Sequence, residues 1–186
     1  IMQGKRVFHL MLLSSILLLL AGCVATSVSS QKQDTDKLVD TNQGYLLIGL
    51  VNDYDLQALY VWGEENLKLT REDLSAGENY ILLPVKAGEY HFGRIDYNYY
   101  YRTSLNEDDW RFEVKPGRIN YVGHLTVEQP FYYFFANHIE LKNRAANAQL
   151  FMEKYFPGLL TSREMFYAGP GQDRFYSLIA ALEEQQ

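Results

Sequence analysis

The stretch Trp110-Arg111-Phe112-Glu113-Val114-Lys115 alternates large apolar and charged side chains without a break. Successive side chains of an extended chain point to opposite faces, so this pattern buries one face only as a strand with a dry side and a wet side. The dry side needs a covering layer, which commits the chain to a layered β structure. Pro116-Gly117 is a turn signal, and Arg118–Val127 is expected to run back from it with Ile119, Tyr121, Leu125 and Val127 on one face.

Other segments repeat the theme at similar spacing. Tyr45–Val51 is apolar on both faces, as in a central strand covered on both sides. Asn52-Asp53 turns the chain into Leu56–Trp62, and Leu67–Thr70 is a short candidate ahead of the polar turn Glu72–Gly77. Tyr80–Val85 follows, where Pro84 argues for an edge strand or a strand end because proline has no N–H for a ladder. Ala87-Gly88 then turns into Glu89–Tyr97, and beyond the break at Gln129-Pro130 the last long candidate is Phe131–Leu141. Short strands punctuated by Gly and Pro predict a mainly β chain folded as an antiparallel β-sandwich over residues 44–142.

Residues 143–186 read as a helical cap of the same domain. Asn143 can cap a helix through Ala145, Ala146, Leu150 and Phe151 to Phe156, with Pro157-Gly158 expected to stop it. Thr161-Ser162-Arg163-Glu164 has capping-box spacing, so a helical turn is expected there. A final helix from about Asp173 sets Phe175, Leu178, Ile179 and Leu182 at i, i+3, i+4 and i+7, a stripe expected to lie on the sandwich.

The amino-terminal region carries an address. Lys5 and Arg6 precede the 14-residue stretch Val7–Leu20, which is apolar except for His9, Ser14 and Ser15. A membrane-spanning helix needs about 20 apolar residues, so this length suits the core of a secretory signal. It closes on Leu20-Ala21-Gly22-Cys23, which resembles the lipobox of bacterial lipoproteins at all four positions. The resemblance implies cleavage of residues 1–22, a diacylglycerol on the Cys23 sulfur and acylation (palmitate) of the new amino terminus. Cys23 is the only cysteine of the chain, so no internal disulfide competes for it. Val24 stands where an enteric inner-membrane lipoprotein would carry aspartate, which implies the periplasmic face of the outer membrane. Residues 23–43 hold this cysteine and a stretch rich in Ser, Thr, Gln and Asp. That composition reads as a disordered tether, and about twenty flexible residues span about 25 Å.

A second resemblance rests on Pro84-Val-Lys-Ala-Gly-Glu-Tyr90 and Val114-Lys-Pro-Gly-Arg-Ile-Asn-Tyr121. These phrases are similar to the Gly-x-Tyr strand entries of transthyretin-like accessory sandwiches, including PEGA and carboxypeptidase-regulatory-like domains. The likeness covers residues 44–128 and implies a transthyretin-like or Ig-like sandwich without catalytic residues.

Charge narrows the partners. Removing Lys5 and Arg6, with no acid lost, takes the formal net charge from −6 to −8, a poor balance for binding nucleic acid. The chain lacks a Gly-x-Ser-x-Gly elbow, a His-Glu-x-x-His pair and a P-loop. Gly169-Pro170-Gly171 reads as a turn, since Pro170 has no amide donor for a phosphate and Asp173 would oppose one. Glu107-Asp108-Asp109 reads as a solvated turn. His91, His124 and His138, each on a strand candidate, could meet at a metal only if the fold brought them together; His138 and Glu140 share a face as i and i+2. No cofactor, metal or enzymatic activity is expected.

Two aromatic runs remain, Asp96–Arg102 and Phe131–Phe135. The expectation is that the C-terminal helices cover them; the alternative is an exposed tyrosine platform for an envelope protein or glycan. In an extended segment Tyr97, Tyr99 and Tyr101 share one face and Asn98, Tyr100 and Arg102 the other, with the polar loop Thr103–Asp109 as a rim. The combined reading is an outer-membrane lipoprotein, bound to the membrane through its lipid, acting as a non-enzymatic binding or envelope-assembly component. Two alternatives stay open. One is the lipoprotein subunit of a secretion system, because type VI systems contain a lipidated transthyretin-like subunit; the other is a hydrolase or metal-binding protein using strand histidines and carboxylates.

Overall fold

The computed structural model describes residues 24–128, 138–171 and 173–183. The signal region, Cys23 and the aromatic run 131–135 lie outside the described residues. The chain is mainly β, with two mixed sheets followed by a few helices.

In one sheet, β2 (Gln43–Asn52) pairs antiparallel with β5 (Gly77–Lys86) over its full length. Pro84 sits in β5 at the edge of this sheet, as its missing N–H requires. On its other side β2 runs parallel to β9 (Ile119–Glu128). The outer edge of β9 is divided: β11 (Met165–Tyr167) pairs in parallel with 119–121, and β10 (His138–Lys142) pairs antiparallel with 124–128.

The other sheet is built around β3 (Ala58–Gly63), antiparallel to both β4 (Leu67–Thr70) and β6 (Gly88–Asp96). The far edge of β6 is divided in the same way, between β7 (Arg102–Ser104) and β8 (Arg111–Val114). β1 (Thr26–Val28) closes the opposite edge, parallel to β4. The pairs β1·β4, β2·β9 and β9·β11 therefore correct the expectation of purely antiparallel pairing. They also correct the expected hairpin at Pro116-Gly117: β8 belongs to one sheet and β9 to the other, so this turn crosses between sheets. Gly117 supplies the left-handed residue of that turn, at φ +71°.

One hydrophobic cluster draws on both sheets. It joins Leu46, Ile48 and Leu50 of β2 and Ile81 and Leu83 of β5 to Leu59, Val61, Phe92, Phe112 and Val114. A second cluster lies on the other face of the β2 sheet, where Tyr45, Leu47, Leu82, Ile119 and Tyr121 meet Ala145, Ala148 and Met152. These three belong to α1 (Ala145–Tyr155), whose first amide is capped by Asn143 Oδ1 at 3.0 Å. Two-sided burial explains why β2 is apolar from Gly44 to Val51 while β8 alternates buried and exposed residues. Each fully buried leucine or isoleucine contributes about 1.5–3 kcal/mol, so the doubly covered sheet holds the densest stabilisation.

Pro157 does more than stop α1. It opens α2 (Pro157–Ser162), because its fixed φ and missing N–H suit the first helical position. The 161–164 stretch ends that helix instead of starting one, and the chain continues into β11. In α3 (Phe175–Glu183) Tyr176 is the buried residue, with its hydroxyl donating to the Ala145 carbonyl at 3.1 Å. Leu178 and Leu182 are 61% and 58% exposed, so only part of the expected apolar stripe packs, with Phe175 against the second cluster.

The largest correction concerns residues 24–43. Far from a free tether, this segment is a strap bonded to both sheets and to a helix. After β1, Gln31 N–H donates to the Leu82 carbonyl at 2.8 Å, and Ser30 Oγ accepts from Leu82 N–H at 3.0 Å, covering the edge of β5. Lys32 and Ser30 N–H both reach the buried Asp73 carboxylate. Asp34 accepts from the first amides of α2, Gly158 and Leu159, at 2.7 and 2.9 Å. Arg163 grips Asp36, and Tyr45 Oη donates to the same aspartate. Polar composition misled because the strap is held through backbone groups and carboxylates, not through an apolar face.

Candidate functional site

The best candidate surface is the turn between β6 and β7. Residues 97–101 form a tight reversal, not the extended segment expected from alternation. Asn98 organises it: its Oδ1 accepts from Tyr100 N–H at 2.8 Å and Tyr101 N–H at 3.0 Å, while Tyr97 N–H donates to the Tyr101 carbonyl at 3.0 Å. Asparagine does this because its short side chain imitates a backbone carbonyl one residue earlier.

The reversal separates the tyrosines by position. Tyr97 is buried beside Tyr54, with its hydroxyl donating to Thr103 Oγ1 at 3.1 Å. Tyr99 and Tyr100 are 81% and 87% exposed, and Tyr101 is 52% exposed. Arg102 is exposed on β7. The helices lie against the opposite sheet and leave this turn uncovered, which corrects the expected helical cover at Tyr99–Tyr101.

The base of the turn is stiff. Asp96 and Arg102 pair across β6 and β7, Arg94 Nη2 donates to Asp96 Oδ2 at 3.2 Å, and the Arg94 guanidinium stacks over Tyr60 at 3.9 Å. Further along the same edge of β6, the loop 105–109 is tied to itself: Asn106 Oδ1 accepts from Asp109 N–H, and Arg111 pairs with Glu107 at 2.8 Å. A solvated turn was expected at Glu107–Asp109, and this is one.

The histidines do not converge. His91 lies on β6 in one sheet, while His124 and His138 lie on β9 and β10 in the other. His138 pairs with Glu140 at 3.3 Å, on the shared face expected for i and i+2. Among the described residues no group of three or more His, Cys, Asp or Glu could hold a metal ion.

His124 has a defined place nevertheless. The register between β2 and β9 slips between Leu47 and Gly49, so Val122-Gly123 bulges. The bulge flips the facing of β9: Ile119 and Tyr121 look toward the helices, whereas Leu125 and Val127 look into the cluster between sheets. Those four residues are thus divided between two faces, not aligned on one. His124 turns under the helical layer, over Gly49, where a Cβ would come within 2.4 Å of its ring.

Its hydrogen bonds fit one neutral tautomer. Tyr121 Oη accepts from Arg144 N–H at 3.0 Å and gives its own proton to His124 Nδ1 at 2.5 Å. His124 Nε2–H then faces Tyr80 Oη at 3.0 Å and Glu78 Oε1 at 3.3 Å. Tyr80 Oη donates to Glu78 at 3.1 Å and its ring stacks on Phe151 of α1 at 4.2 Å. Burial pulls the His124 pKa down to about 4 against the opposing pull of Glu78, and pushes the Tyr80 and Tyr121 hydroxyls up. With no accessible surface, the imidazole joins the helices to the sheet and meets no solvent-borne substrate in this conformation.

Sequence reasoning missed the strap residues Ser30, Gln31, Asp34 and Asp36, for which no local pattern is diagnostic. It also missed the His124 site, although a glycine inside a strand pattern, Gly123, is a bulge signal. Comparison with protein-family models, with curated proteins and with solved structures finds no match.

Proposed function

We propose that this chain is a lipid-anchored, non-enzymatic binding component of the bacterial envelope, held at the periplasmic face of the outer membrane through Cys23. In this reading its two sheets form a transthyretin-like or Ig-like β-sandwich, a view supported by the hydrophobic cluster they share. The observation that carries the binding function is the turn Tyr99–Tyr101, three consecutive tyrosines exposed on a hydrogen-bonded base.

Tyrosine offers a large contact area with two rotatable side-chain torsions, so it loses little entropy when it docks. Tyr99 and Tyr100 are almost fully exposed. Small ligands bind in concave sites, whereas projecting aromatics act as anchors that fill a pocket on a protein partner. An envelope protein is therefore the favoured partner.

The test replaces Tyr99, Tyr100 and Tyr101 together with serine and compares capture from solubilised envelopes with that by the unaltered protein. Capture of the specific partner should fall at least tenfold, with the melting temperature shifted by no more than about 2 °C, since exposed substitutions cost within about 0.5 kcal/mol. Unchanged capture, or a melting temperature lower by many degrees, would overturn the assignment.

A further inference from the structure

The strap changes what an anchor at Cys23 would do. The described residues start at Val24, and β1 begins at Thr26, whose N–H donates to the Asn66 carbonyl at 2.7 Å. A chain extends by at most about 3.6 Å per residue, so the Cα of Cys23 lies within about 11 Å of Thr26. A leash this short restricts where the bilayer can be.

Register shows which end of the domain that is. Thr26 stands opposite Leu67, Leu67 opposite Val61, and Val61 opposite Phe92; Val28, Leu69, Leu59 and Ile95 form the same row two or three residues on. β1 therefore enters beside the end of the sheet that holds Gly63–Asn66 and Ala87-Gly88, and runs toward the end that holds the tyrosine turn. The entry end gathers further loops, since Ala87 N–H bonds the Asn42 carbonyl and Gly117 N–H bonds the Gln43 carbonyl. Its side chains are polar and mixed in charge. Glu64 is exposed, and Glu65 is paired with Lys86 at 3.9 Å. Such a rim suits lipid headgroups, and Val24 and Val39, 85% and 90% exposed, are the apolar side chains beside it. Between Gly88 and Asp96 the strand rises about 3.3 Å per residue, which sets the tyrosine turn about 25–30 Å from the entry end.

We propose that the entry end, at Glu64–Asn66 and Ala87-Gly88, rests on the bilayer surface and holds Tyr99–Tyr101 at the pole farthest from the membrane. The assignment rests on the lipid-anchor reading and adds to it a fixed orientation. A disordered tether would have allowed any.

Because Cys23 is the only cysteine and would be acylated, an added cysteine is the only free thiol for a probe. The acylated full chain, as Glu64→Cys or as Tyr100→Cys, is labelled with a fluorophore and bound to phosphatidylethanolamine–phosphatidylglycerol vesicles carrying a headgroup quencher. The position-64 probe should be quenched at least threefold more than the position-100 probe. Inserting ten Gly/Ser residues after Val24 should erase the difference. Vesicle-bound protein with equal quenching at both positions, or stronger quenching at position 100, overturns the orientation while leaving the anchor intact. Failure of the protein to float with the vesicles overturns the anchor reading and the orientation with it.

Discussion

Tyr80 and Tyr121 lie under α1 with both hydroxyls bonded to His124 or its neighbours, whereas Tyr99 and Tyr100 stand in solvent on a turn held by backbone and asparagine bonds. The same side chain is used for opposite ends. A buried phenol without a partner costs about 1–3 kcal/mol, so the inner tyrosines come with a two-faced imidazole, a carboxylate and a free helical amide. The outer pair needs none of these, because water satisfies it. The contrast teaches that tyrosine density alone says nothing about burial; the company each hydroxyl keeps does.

The contrast breaks most severely at Gly49. A Cβ there meets the His124 ring, and that ring is pinned at both nitrogens, so Gly49→Ala must displace the imidazole or the bulge. Overpacking of this kind costs about 1–3 kcal/mol, and more here because the hydrogen bonds go with it. Urea unfolding should show a loss of unfolding free energy of that size, whereas Tyr100→Ala should leave the midpoint in place.

Acid gives an effect of similar size and more specific origin. The folded chain holds His124 neutral down to about pH 4, while the unfolded chain takes up the proton near the ordinary value of 6.5. Between those limits the unfolded state binds more protons, so stability falls as pH drops from 6.5 to about 4 and this group contributes no further loss below it. The full window of about 2.5 pH units corresponds to an upper bound of about 3–4 kcal/mol. His124→Phe should start less stable and lose less across the same window. An equal slope in both proteins would assign the acid sensitivity to other groups.

The smallest effect belongs to the turn. Asn98→Ala removes the acceptor for two amides and should cost about 1 kcal/mol at most in global unfolding. Amide exchange at Tyr100 and Tyr101 should nevertheless speed up at least tenfold, because the loss is confined to a segment that opens locally. Unchanged exchange there would mean that the strand pairing, not Asn98, holds the turn.

Much of the strand content was legible. The alternation in β8, the apolar run of β2 and the edge signal of Pro84 each reflect local geometry that one segment carries by itself. Pairing partners were not legible, because whether β9 returns along β8 or joins β2 in parallel depends on residues seventy positions away. The short strands β1, β7 and β11 escaped for a related reason: three residues borrow their conformation from a neighbour's edge. At the candidate site, sequence alone singled out the tyrosine run and its rim but assumed an extended backbone, overlooking that Asn98 accepts from the amides two and three residues on. The C-terminal stripe misled because periodicity identifies an apolar face without saying that Tyr176, just beside it, has the hydrogen-bond partner.

The strap also has a consequence in time. A chain delivered from its amino terminus presents Asp34 long before Gly158, its partner 124 residues later, and Asp36 long before Arg163, 127 residues later. The clasp can close only after α2 and Arg163 have arrived. Until then only the stretch after Lys32 is slack, because residues 26–32 bond partners between Asn66 and Leu82. Once closed, it pulls the stretch around Asp34 and Asp36 tight against α2 and Arg163. Folding thus acts as a winch, and the order of the chain sets the moment at which it turns.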